Sequence, residues 1–340
     1  MTEELRFHGD QVTGDGMLDF AVNVWEAPLS GRLRGALQSA LDGLGRYPND
    51  RPAREALARR HGRSPDEVVV LNGACEAFWL LAPALRPQHP ACVHPGFTEP
   101  EAALRAAGLG VARVLRSPTD WRLVPSHLPR DADLVVLDNP NNPTGRLDPA
   151  DAVADVARQG RAVVVDESFI ELTQHPGQSL AGRQDLPGLV VVRSLTKLYG
   201  LAGLRAGYLL APPDIAERLS AARQPWSVNS LALAAIQVCA ADVTAARKIA
   251  AEVAAARSDL VDRVRSLPRV RTWPGSANFV LAEVPGCGRR VVDTLRRSGV
   301  AVRPAASFPG LGPDHLRLAV RNPSDHSRLV AAMHRALVDV

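Results

Sequence analysis

Short apolar runs alternate with amphipathic stretches over residues 53–211. Seven of these runs contain residues that favour β-structure and are short enough for strands. They lie at 67–71, 91–94, 110–116, 133–138, 162–167, 189–195 and 206–211. Helix-like segments separate several of them, at 75–85, 99–108 and 149–160. This alternation predicts an α/β domain with a mainly parallel, seven-stranded sheet covered by helices on both faces.

The pattern changes after residue 226. An alanine-rich helical region comes first and is followed by three short strand candidates and a closing helix. These segments lie at 230–266, 278–284, 299–304, 315–320 and 324–338. Their order predicts a smaller α+β domain. We therefore expect a large domain over 46–225 and a small domain over 226–340, preceded by an N-terminal arm over 1–45 that packs on the small domain or on a partner subunit.

The composition is typical of a globular protein. The chain has 340 residues, of which 46% are hydrophobic and 22% charged, with a net charge of +4. Its basic residues are interspersed with acids, so we expect no nucleic-acid partner. No apolar run reaches the ~18 residues that a membrane span requires, and the first residues do not form a signal peptide. The cysteines are widely spaced, which predicts reduced thiols in a cytoplasmic protein and no metal site.

Polar residues follow several of the predicted strands. Because ligands of open α/β sheets bind at the carboxyl ends of the strands, each of these positions is a candidate site. Asn72-Gly73-Ala74-Cys75 forms a glycine turn that leads into a helix and could hold a phosphate, or could be a turn alone. The rigid loop from Asn139 to Gly145 places three asparagines just after the predicted strand at 133–138. Asp166 ends a run of apolar residues, where a carboxylate needs a partner unless it serves as a helix cap or lies at the surface.

Lys197 is one of two lysines in a chain that otherwise uses arginine. It follows an apolar strand, where burial lowers the pKa of an amine and leaves it nucleophilic. Lysine can form an imine with a carbonyl, and arginine cannot. Ser194 and Arg205 lie nearby in the sequence and suit a phosphate. One ligand that carries a phosphate, a carbonyl, a ring nitrogen and a hydroxyl satisfies all of these positions, and pyridoxal 5′-phosphate is such a ligand.

Three motifs carry a family resemblance, namely N-x-N-N-P-T-G, V-V-D-E and S-L-T-K-x-x-x-L-x-G-x-R-x-G-Y. In their order and spacing the chain resembles fold type I pyridoxal-phosphate enzymes of the histidinol-phosphate aminotransferase branch. The resemblance implies that Lys197 binds the cofactor covalently and that Asp166 pairs with its ring nitrogen. It also implies that Asn142 bonds the ring hydroxyl O3′ and that Phe97 stacks on the ring. Other implied cofactor ligands hold the phosphate: Ser194, Arg205 and the backbone at Ala74 and Cys75, with Tyr47 reaching it from the other subunit of a homodimer.

Within that branch, Arg193 before SLTK, the stretch at 224–229, and Phe169 in DESF resemble cobalamin-biosynthetic L-threonine-O-3-phosphate decarboxylases. By this resemblance His8 approaches the substrate phosphate, while Arg303 and Arg317 bind the substrate's phosphate and carboxylate. Asn23 matches the first asparagine of a family segment that lies at the rim of the substrate site. The implied reaction is decarboxylation of L-threonine O-3-phosphate to (R)-1-amino-2-propanol O-2-phosphate. The alternative is an aminotransferase that acts on histidinol phosphate or a similar small phosphorylated amino substrate.

Overall fold

The computed structural model describes residues 2–26 and 28–338. Residues 1 and 27 of the predicted arm and residues 339–340 of the predicted small domain lie outside it. Within the described residues the α-helices are α1 (Thr2–Leu5), α2 (Gly31–Leu41), α3 (Arg51–His61), α4 (Cys75–Leu85), α5 (Glu99–Ala106), α6 (Ala150–Ala154), α7 (Thr196–Tyr199), α8 (Pro213–Ala221), α9 (Ser230–Ala241), α10 (Val243–Arg265), α11 (Gly288–Arg297) and α12 (Pro323–Val338). The strands are β1 (Leu18–Phe20), β2 (Val68–Asn72), β3 (Pro90–His94), β4 (Ala112–Leu115), β5 (Leu134–Asp138), β6 (Ala162–Asp166), β7 (Leu189–Ser194), β8 (Ala206–Leu210), β9 (Arg271–Thr272), β10 (Phe279–Glu283), β11 (Val300–Pro304) and β12 (His315–Ala319).

The seven predicted strands of the large sheet are all present, as β2 to β8. Their order is β2-β8-β7-β6-β5-β3-β4, and β8 runs antiparallel to both of its neighbours while the β7-β6-β5-β3-β4 pairs are parallel. In the β5–β6 pair Asp138 lies opposite Asp166. The mainly parallel seven-stranded sheet is therefore confirmed, and its parallel strands bring their carboxyl ends to one edge.

Helices cover both faces of this sheet. Alternate residues of β6 point to opposite sides, so Val163 and Val165 join one buried cluster and Val164 joins another. The first cluster includes residues of α3 and α9, and the second includes residues of α4 and α8. Strands that are buried on both faces need continuous apolar sequence, which explains the unbroken valine runs. The predicted αβα layering is confirmed.

A second sheet of five strands has the order β1-β11-β12-β10-β9. Its strand β1 comes from the N-terminal segment and pairs in parallel with β11, with Leu18 opposite Val300 and Phe20 opposite Val302. The sequence pattern missed β1 and β9 because three and two residues are too few to show a period of two. The boundaries at 45/46 and 225/226 stay a prediction.

Two predicted helical segments differ from the structure. The segment at 149–160 is helical only in α6, which ends at Ala154. The chain then turns at Gly160 (φ 78°), and β6 starts two residues later. The segment at 230–266 forms α9 and α10, which meet at 85°. Asp242 separates them, and its Oδ1 accepts a hydrogen bond from the Ala245 N–H at 3.0 Å. Among the described residues, no single helix is long and apolar enough to cross a membrane, and only the bent pair of α9 and α10 together has that length and composition.

Glu101 on α5 ties together two strands of the large sheet. Its buried carboxylate lies 2.8 Å from His94 Nε2 of β3 and 2.9 Å from Arg113 Nε of β4, and 2.6 Å from Arg105 Nε on its own helix. Burial acts to raise the pKa of Glu101, but these hydrogen bonds and charges lower it to about 2. A carboxyl group whose pKa is lower in the folded state stabilises the fold above its unfolded pKa.

We predict that acid removes this contribution. The stabilisation is complete above about pH 5 and is lost as the pH falls towards 2, by roughly 3 kcal/mol in total. In Glu101→Gln the free energy of unfolding should be lower at neutral pH and should fall less steeply on acidification. Urea unfolding at a series of pH values gives the free energy of unfolding of each protein as a function of pH. The same dependence on pH in both proteins would contradict the prediction.

Candidate active site

A cavity of about 540 Å³ lies at the carboxyl ends of the large sheet and faces β11 and β12 of the small sheet. Nearly all of the site residues predicted from the sequence line it: His8, Asn23, Ala74, Cys75, Phe97, Asn142, Asp166, Ser194, Lys197, Arg205, Arg303 and Arg317. The exception is Tyr47, whose side chain is 77% exposed and stacks on Trp226 with ring centroids 4.5 Å apart. Its predicted role at a partner's site stays a prediction.

Lys197 lies on α7, which begins just after β7 and ends at Gly200 in the left-handed conformation. Its Nζ donates a hydrogen bond to Asn23 Oδ1 at 3.1 Å. Burial, reinforced by the nearby Arg317 guanidinium, lowers the pKa of Lys197 to about 8, although the Asp166 carboxylate opposes this shift. The lowered pKa increases the fraction of the amine that is neutral near physiological pH, which is the form that a nucleophile or proton acceptor requires.

Asp166 ends β6 and faces the same cavity. Its Oδ1 accepts hydrogen bonds from the Ser168 N–H at 2.9 Å and from Ser168 Oγ at 2.5 Å. Burial nevertheless raises the pKa of Asp166 above its usual range. A buried carboxylate of this kind gains stability from a cationic partner, and a protonated ring nitrogen would be one.

The turn between β2 and α4 suits a phosphate group. Gly73 has a φ of 77°, and a Cβ atom there would collide with Arg205 Nη2, so glycine leaves room for the guanidinium. The N–H groups of Ala74 and Cys75 lie at the N-terminus of α4, where a helix is electropositive and its first N–H groups have no partner within the helix. Ser194 ends β7 at the same part of the cavity.

Two buried arginines lie opposite each other on β11 and β12, namely Arg303 and Arg317. Arg317 Nη1 donates to Asn142 Oδ1 at 2.6 Å, and its Nη2 donates to the carbonyl of Ala21 at 2.8 Å. Burial and the charge of Arg303 lower the pKa of Arg317 to about 9. Burial likewise lowers the pKa of Arg303 to about 10. Both cations are therefore held at a cost in solvation free energy.

Arg303 lies between two aromatic rings. Its guanidinium carbon is 4.4 Å from the ring centroid of Phe7 and 4.9 Å from that of Phe308. It donates hydrogen bonds to the carbonyls of Phe7 and Pro304 and to Ser307 Oγ. The arrangement connects the N-terminal segment with the small sheet.

Glu99 is a residue of the site that no sequence motif indicates. Its buried carboxylate accepts a hydrogen bond from Trp79 Nε1 at 3.2 Å, and its Oε1 lies 2.6 Å from His8 Nε2. Burial acts to raise the pKa of Glu99, but the hydrogen bond and charge of His8 lower it below the usual range. Glu99 thus holds His8 at the edge of the cavity. No local pattern shows this contact, because the two residues are 91 positions apart.

Arg321 holds the segment that carries Asn23. Its guanidinium donates to the carbonyls of Asp19 at 2.7 Å, Val22 at 2.6 Å and Val24 at 3.1 Å. Asn278 Nδ2 adds a hydrogen bond to the carbonyl of Asn23 at 3.0 Å. Through these contacts Arg321 and Asn278 keep Asn23 within reach of Lys197.

These residues fit pyridoxal 5′-phosphate. The cavity has a half-buried amine of lowered pKa, a buried carboxylate whose pKa burial raises, and a glycine turn beside a guanidinium. Each matches one part of that cofactor, namely its carbonyl, its ring nitrogen and its phosphate. In the part of the chain that the structure describes, no cluster of three or more His, Cys, Asp or Glu side chains could hold a metal ion.

Comparison with known proteins gives the family. The family model for class I and II aminotransferases matches residues 18–333. The chain belongs to this family and has the fold of its type I pyridoxal-phosphate enzymes, as the resemblance predicted. Its cofactor is pyridoxal 5′-phosphate.

Two relatives of this chain are named for different activities. A histidinol-phosphate aminotransferase of Mycobacterium tuberculosis is 42% identical over 322 residues, which cover 93% of this chain and 87% of the relative. A threonine-phosphate decarboxylase of Salmonella typhimurium is 31% identical over 343 residues, which cover 97% of this chain and 93% of the relative. The family is therefore clear, and both candidate reactions occur among the names of the relatives.

Among solved structures, the histidinol-phosphate aminotransferase of Clostridium acetobutylicum has a TM-score of 0.88 at 22% identity and covers 94% of this chain and 99% of its own. The histidinol-phosphate aminotransferase of Sinorhizobium meliloti was solved in complex with pyridoxal-5′-phosphate. Its TM-score is 0.84 at 22% identity, with 94% of this chain and 90% of its own covered. At these identities the likeness shows the fold.

We predict that Gly73→Ala weakens cofactor binding. The added methyl group would displace the Arg205 guanidinium, so the affinity for pyridoxal phosphate should fall about 10- to 100-fold, as for loss of a charged hydrogen bond. Gly62→Ala is the matched control, since Gly62 also has a positive φ (64°) but a Cβ atom there would meet no other group within 4 Å. Absorbance titration of both apoproteins with the cofactor measures the affinities, and equal affinities would contradict the prediction.

Proposed function

We propose that this protein is an aminotransferase that acts on a small amino compound carrying a phosphate, such as histidinol phosphate. The observation that carries the proposal is the pair of buried guanidinium groups of Arg303 and Arg317 in the cavity that contains Lys197. Among the described residues, neither guanidinium forms an ion pair with a carboxylate. Because a buried cation without a counter-charge is costly, an anionic substrate group is the natural partner.

The two guanidiniums also suit the needs of transamination. An aminotransferase binds an amino substrate and a keto acid in turn, and the same cavity must accept the anionic groups of both. A guanidinium can pair with a phosphate or a carboxylate through two parallel hydrogen bonds. Arg303, held between Phe7 and Phe308, is our candidate for the phosphate, and Arg317 beside Asn142 is our candidate for a carboxylate.

The relatives support transamination better than the decarboxylation that the sequence motifs favour. The 42% identical relative is named a histidinol-phosphate aminotransferase, whereas the relative named a decarboxylase is 31% identical. Both alignments span more than nine-tenths of this chain, so the difference in identity does not come from partial coverage.

Decarboxylation of threonine phosphate is the second candidate, and Phe169 favours it. The Phe169 ring lines the cavity with its centroid 5.8 Å from Lys197 Nζ, and it packs edge-on against Phe279 at 5.0 Å. A phenylalanine at this position offers no hydroxyl group to the cofactor, and the DESF segment that contains it is one of those that resemble the decarboxylases. Threonine phosphate also carries a phosphate and a carboxylate, which would match two guanidiniums in a single substrate.

In either reaction the residues of this chain have similar tasks. Bound pyridoxal phosphate withdraws electrons from the substrate bond that breaks. In transamination the neutral amine of Lys197 would accept the proton of the substrate's α carbon and deliver it to a different atom, whereas in decarboxylation the protonated amine would donate a proton to the α carbon after CO2 has left. In both cases Asn23 Oδ1 holds the Nζ atom in place. Asp166 supplies negative charge at the ring end of the cavity. The guanidiniums orient the substrate, and this orientation decides which bond at the α carbon is aligned for cleavage.

Two incubations of the purified holoenzyme test the proposal. The first contains histidinol phosphate and 2-oxoglutarate and is assayed for glutamate, and the second contains phosphothreonine alone and is assayed for CO2. Glutamate formation supports transamination. Release of CO2 without a keto acid, together with no glutamate in the first incubation, would replace it with decarboxylation. Inactivity in both would refute both candidates.

We predict that Arg303→Met selectively removes phosphate recognition. Methionine keeps an unbranched apolar side chain between Phe7 and Phe308 but has no charge. The kcat/KM for histidinol phosphate should fall about 100-fold or more, while the value for histidinol, which lacks the phosphate, should change little. Arg296→Met, at an exposed position on α11, is the control. An equal loss on both substrates would argue against a phosphate contact.

We further propose a homodimer in which Tyr47 reaches the phosphate site of the partner subunit. The support is the exposure of Tyr47 and Trp226, which stack on each other and are 77% and 60% exposed in one chain. Such large exposed aromatic rings are typical of interfaces. The molar mass in solution, measured by light scattering, should be twice that of the 36.4 kDa chain, and a monomeric mass at assay concentration would refute this proposal.

A further inference from the structure

The carboxylate of Asp138 connects two loops beneath the cavity. Asp138 ends β5 and is 3% exposed. Its Oδ2 accepts hydrogen bonds from the backbone N–H of Phe97 at 3.1 Å and from that of Asn142 at 2.8 Å. Its Oδ1 accepts from Asn141 Nδ2 at 2.6 Å. Asp138 itself does not line the cavity, so any effect on a bound ligand passes through these neighbours.

Phe97 and Asn142 are the residues of the two loops that matter for the cofactor. Phe97 follows β3 and Asn142 follows β5, and both side chains line the cavity. One is the candidate for stacking on the ring and the other for bonding the ring hydroxyl. Because a single carboxylate oxygen accepts from both backbones, the separation of the two residues is held by one atom.

We propose that Asp138 is a positioning residue that fixes Phe97 relative to Asn142 around the cofactor ring. The inference rests on the proposed function in that these two residues hold the cofactor, but it depends on neither candidate reaction. Asp138 acts through the loops and touches neither cofactor nor substrate.

The surroundings of Asp138 require a carboxylate rather than an amide. Both of its oxygens accept hydrogen bonds from N–H donors. The Asn141 amide cannot flip to present its oxygen to residue 138. The Oδ1 of Asn141 already accepts from Thr144 N–H at 3.2 Å and Thr144 Oγ1 at 2.5 Å, and its Nδ2 also donates to the carbonyl of Pro95 at 2.8 Å. An asparagine at 138 would therefore direct its NH2 group at another donor.

Burial makes the ionised form of Asp138 costly. Burial raises the pKa of Asp138 to about 6, although the Arg116 guanidinium and the hydrogen bonds from Asn142 and Asn141 oppose that shift. Arg116 Nη2 also donates to the Asp138 carbonyl at 3.0 Å. An apolar residue could fill the same space at a lower cost, so a carboxylate surrounded by donors fits a positioning role.

Asp148 provides a matched control on the same loop. It is also buried, at 2% exposure, and its Oδ2 lies 2.5 Å from Arg116 Nη1 while its Oδ1 accepts from the Leu123 N–H at 3.1 Å. Its carboxylate does not bond to Phe97 or Asn142 in the described chain. Asp148→Asn thus removes a similar buried carboxylate without breaking the connection.

The test compares the holoenzymes of Asp138→Asn, Asp148→Asn and the unchanged protein. The visible circular dichroism of bound pyridoxal phosphate reports how the ring is held, and cofactor titration gives its dissociation constant. In Asp138→Asn the dichroic signal should fall by about half or more and the dissociation constant should rise about 10- to 100-fold. Both should stay near the unchanged values in Asp148→Asn, even where its unfolding temperature falls. An Asp138→Asn protein with reduced thermal stability alone would overturn the proposal.

A measurement on the unchanged holoenzyme decides the matter if Asp138→Asn does not fold. The amide hydrogens of Phe97 and Asn142 should exchange with solvent slowly and with matching protection, since one oxygen holds both. Protection factors that differ by more than about 10-fold would overturn the proposal. None of these readouts uses a substrate, so failure of the aminotransferase assay leaves this test intact.

Discussion

Desolvation of charge at one edge of the large sheet is the constraint on which the site depends. Lys197 and Asp166 line the cavity at this edge, and Arg317 faces them from β12 of the small sheet. Burial shifts the pKa of each group in the direction that favours its neutral form. Buried charges are stable only with partners of suitable geometry. Pyridoxal phosphate and an anionic substrate supply such partners, so the same burial that makes the amine reactive also creates the demand for ligands.

The backbone of the sheet makes this concentration of charge possible. Parallel strands end at the same edge, which brings the loops after β2, β3, β5, β6 and β7 together although they are far apart in sequence. Buried polar side chains then hold those loops in place. Glu101 ties α5 to β3 and β4, Asp138 ties the loops after β3 and β5, and Arg321 ties the segment of Asn23 to the small sheet.

In the proposed roles, the small sheet carries the two guanidinium groups that orient the substrate. Arg303 and Arg317 lie opposite each other on β11 and β12, whereas the cofactor candidates lie mainly at the edge of the large sheet. A change in how the two guanidiniums orient a substrate would therefore alter the bond that breaks without altering the cofactor's surroundings. Such a separation would fit the names of the relatives, which include histidinol-phosphate aminotransferases and a threonine-phosphate decarboxylase.

The sequence alone determined the large sheet, its layering and the cofactor, because continuous valine runs and the residues at strand ends are local signals. Asp166, Lys197 and the Gly73 turn could all be predicted in this way. Only the tertiary structure decided that β1 joins the small sheet, that Glu99 holds His8, and that Asp138 connects Phe97 with Asn142. These contacts join residues that are distant in sequence. They depend on three-dimensional packing and burial, which no local periodicity records.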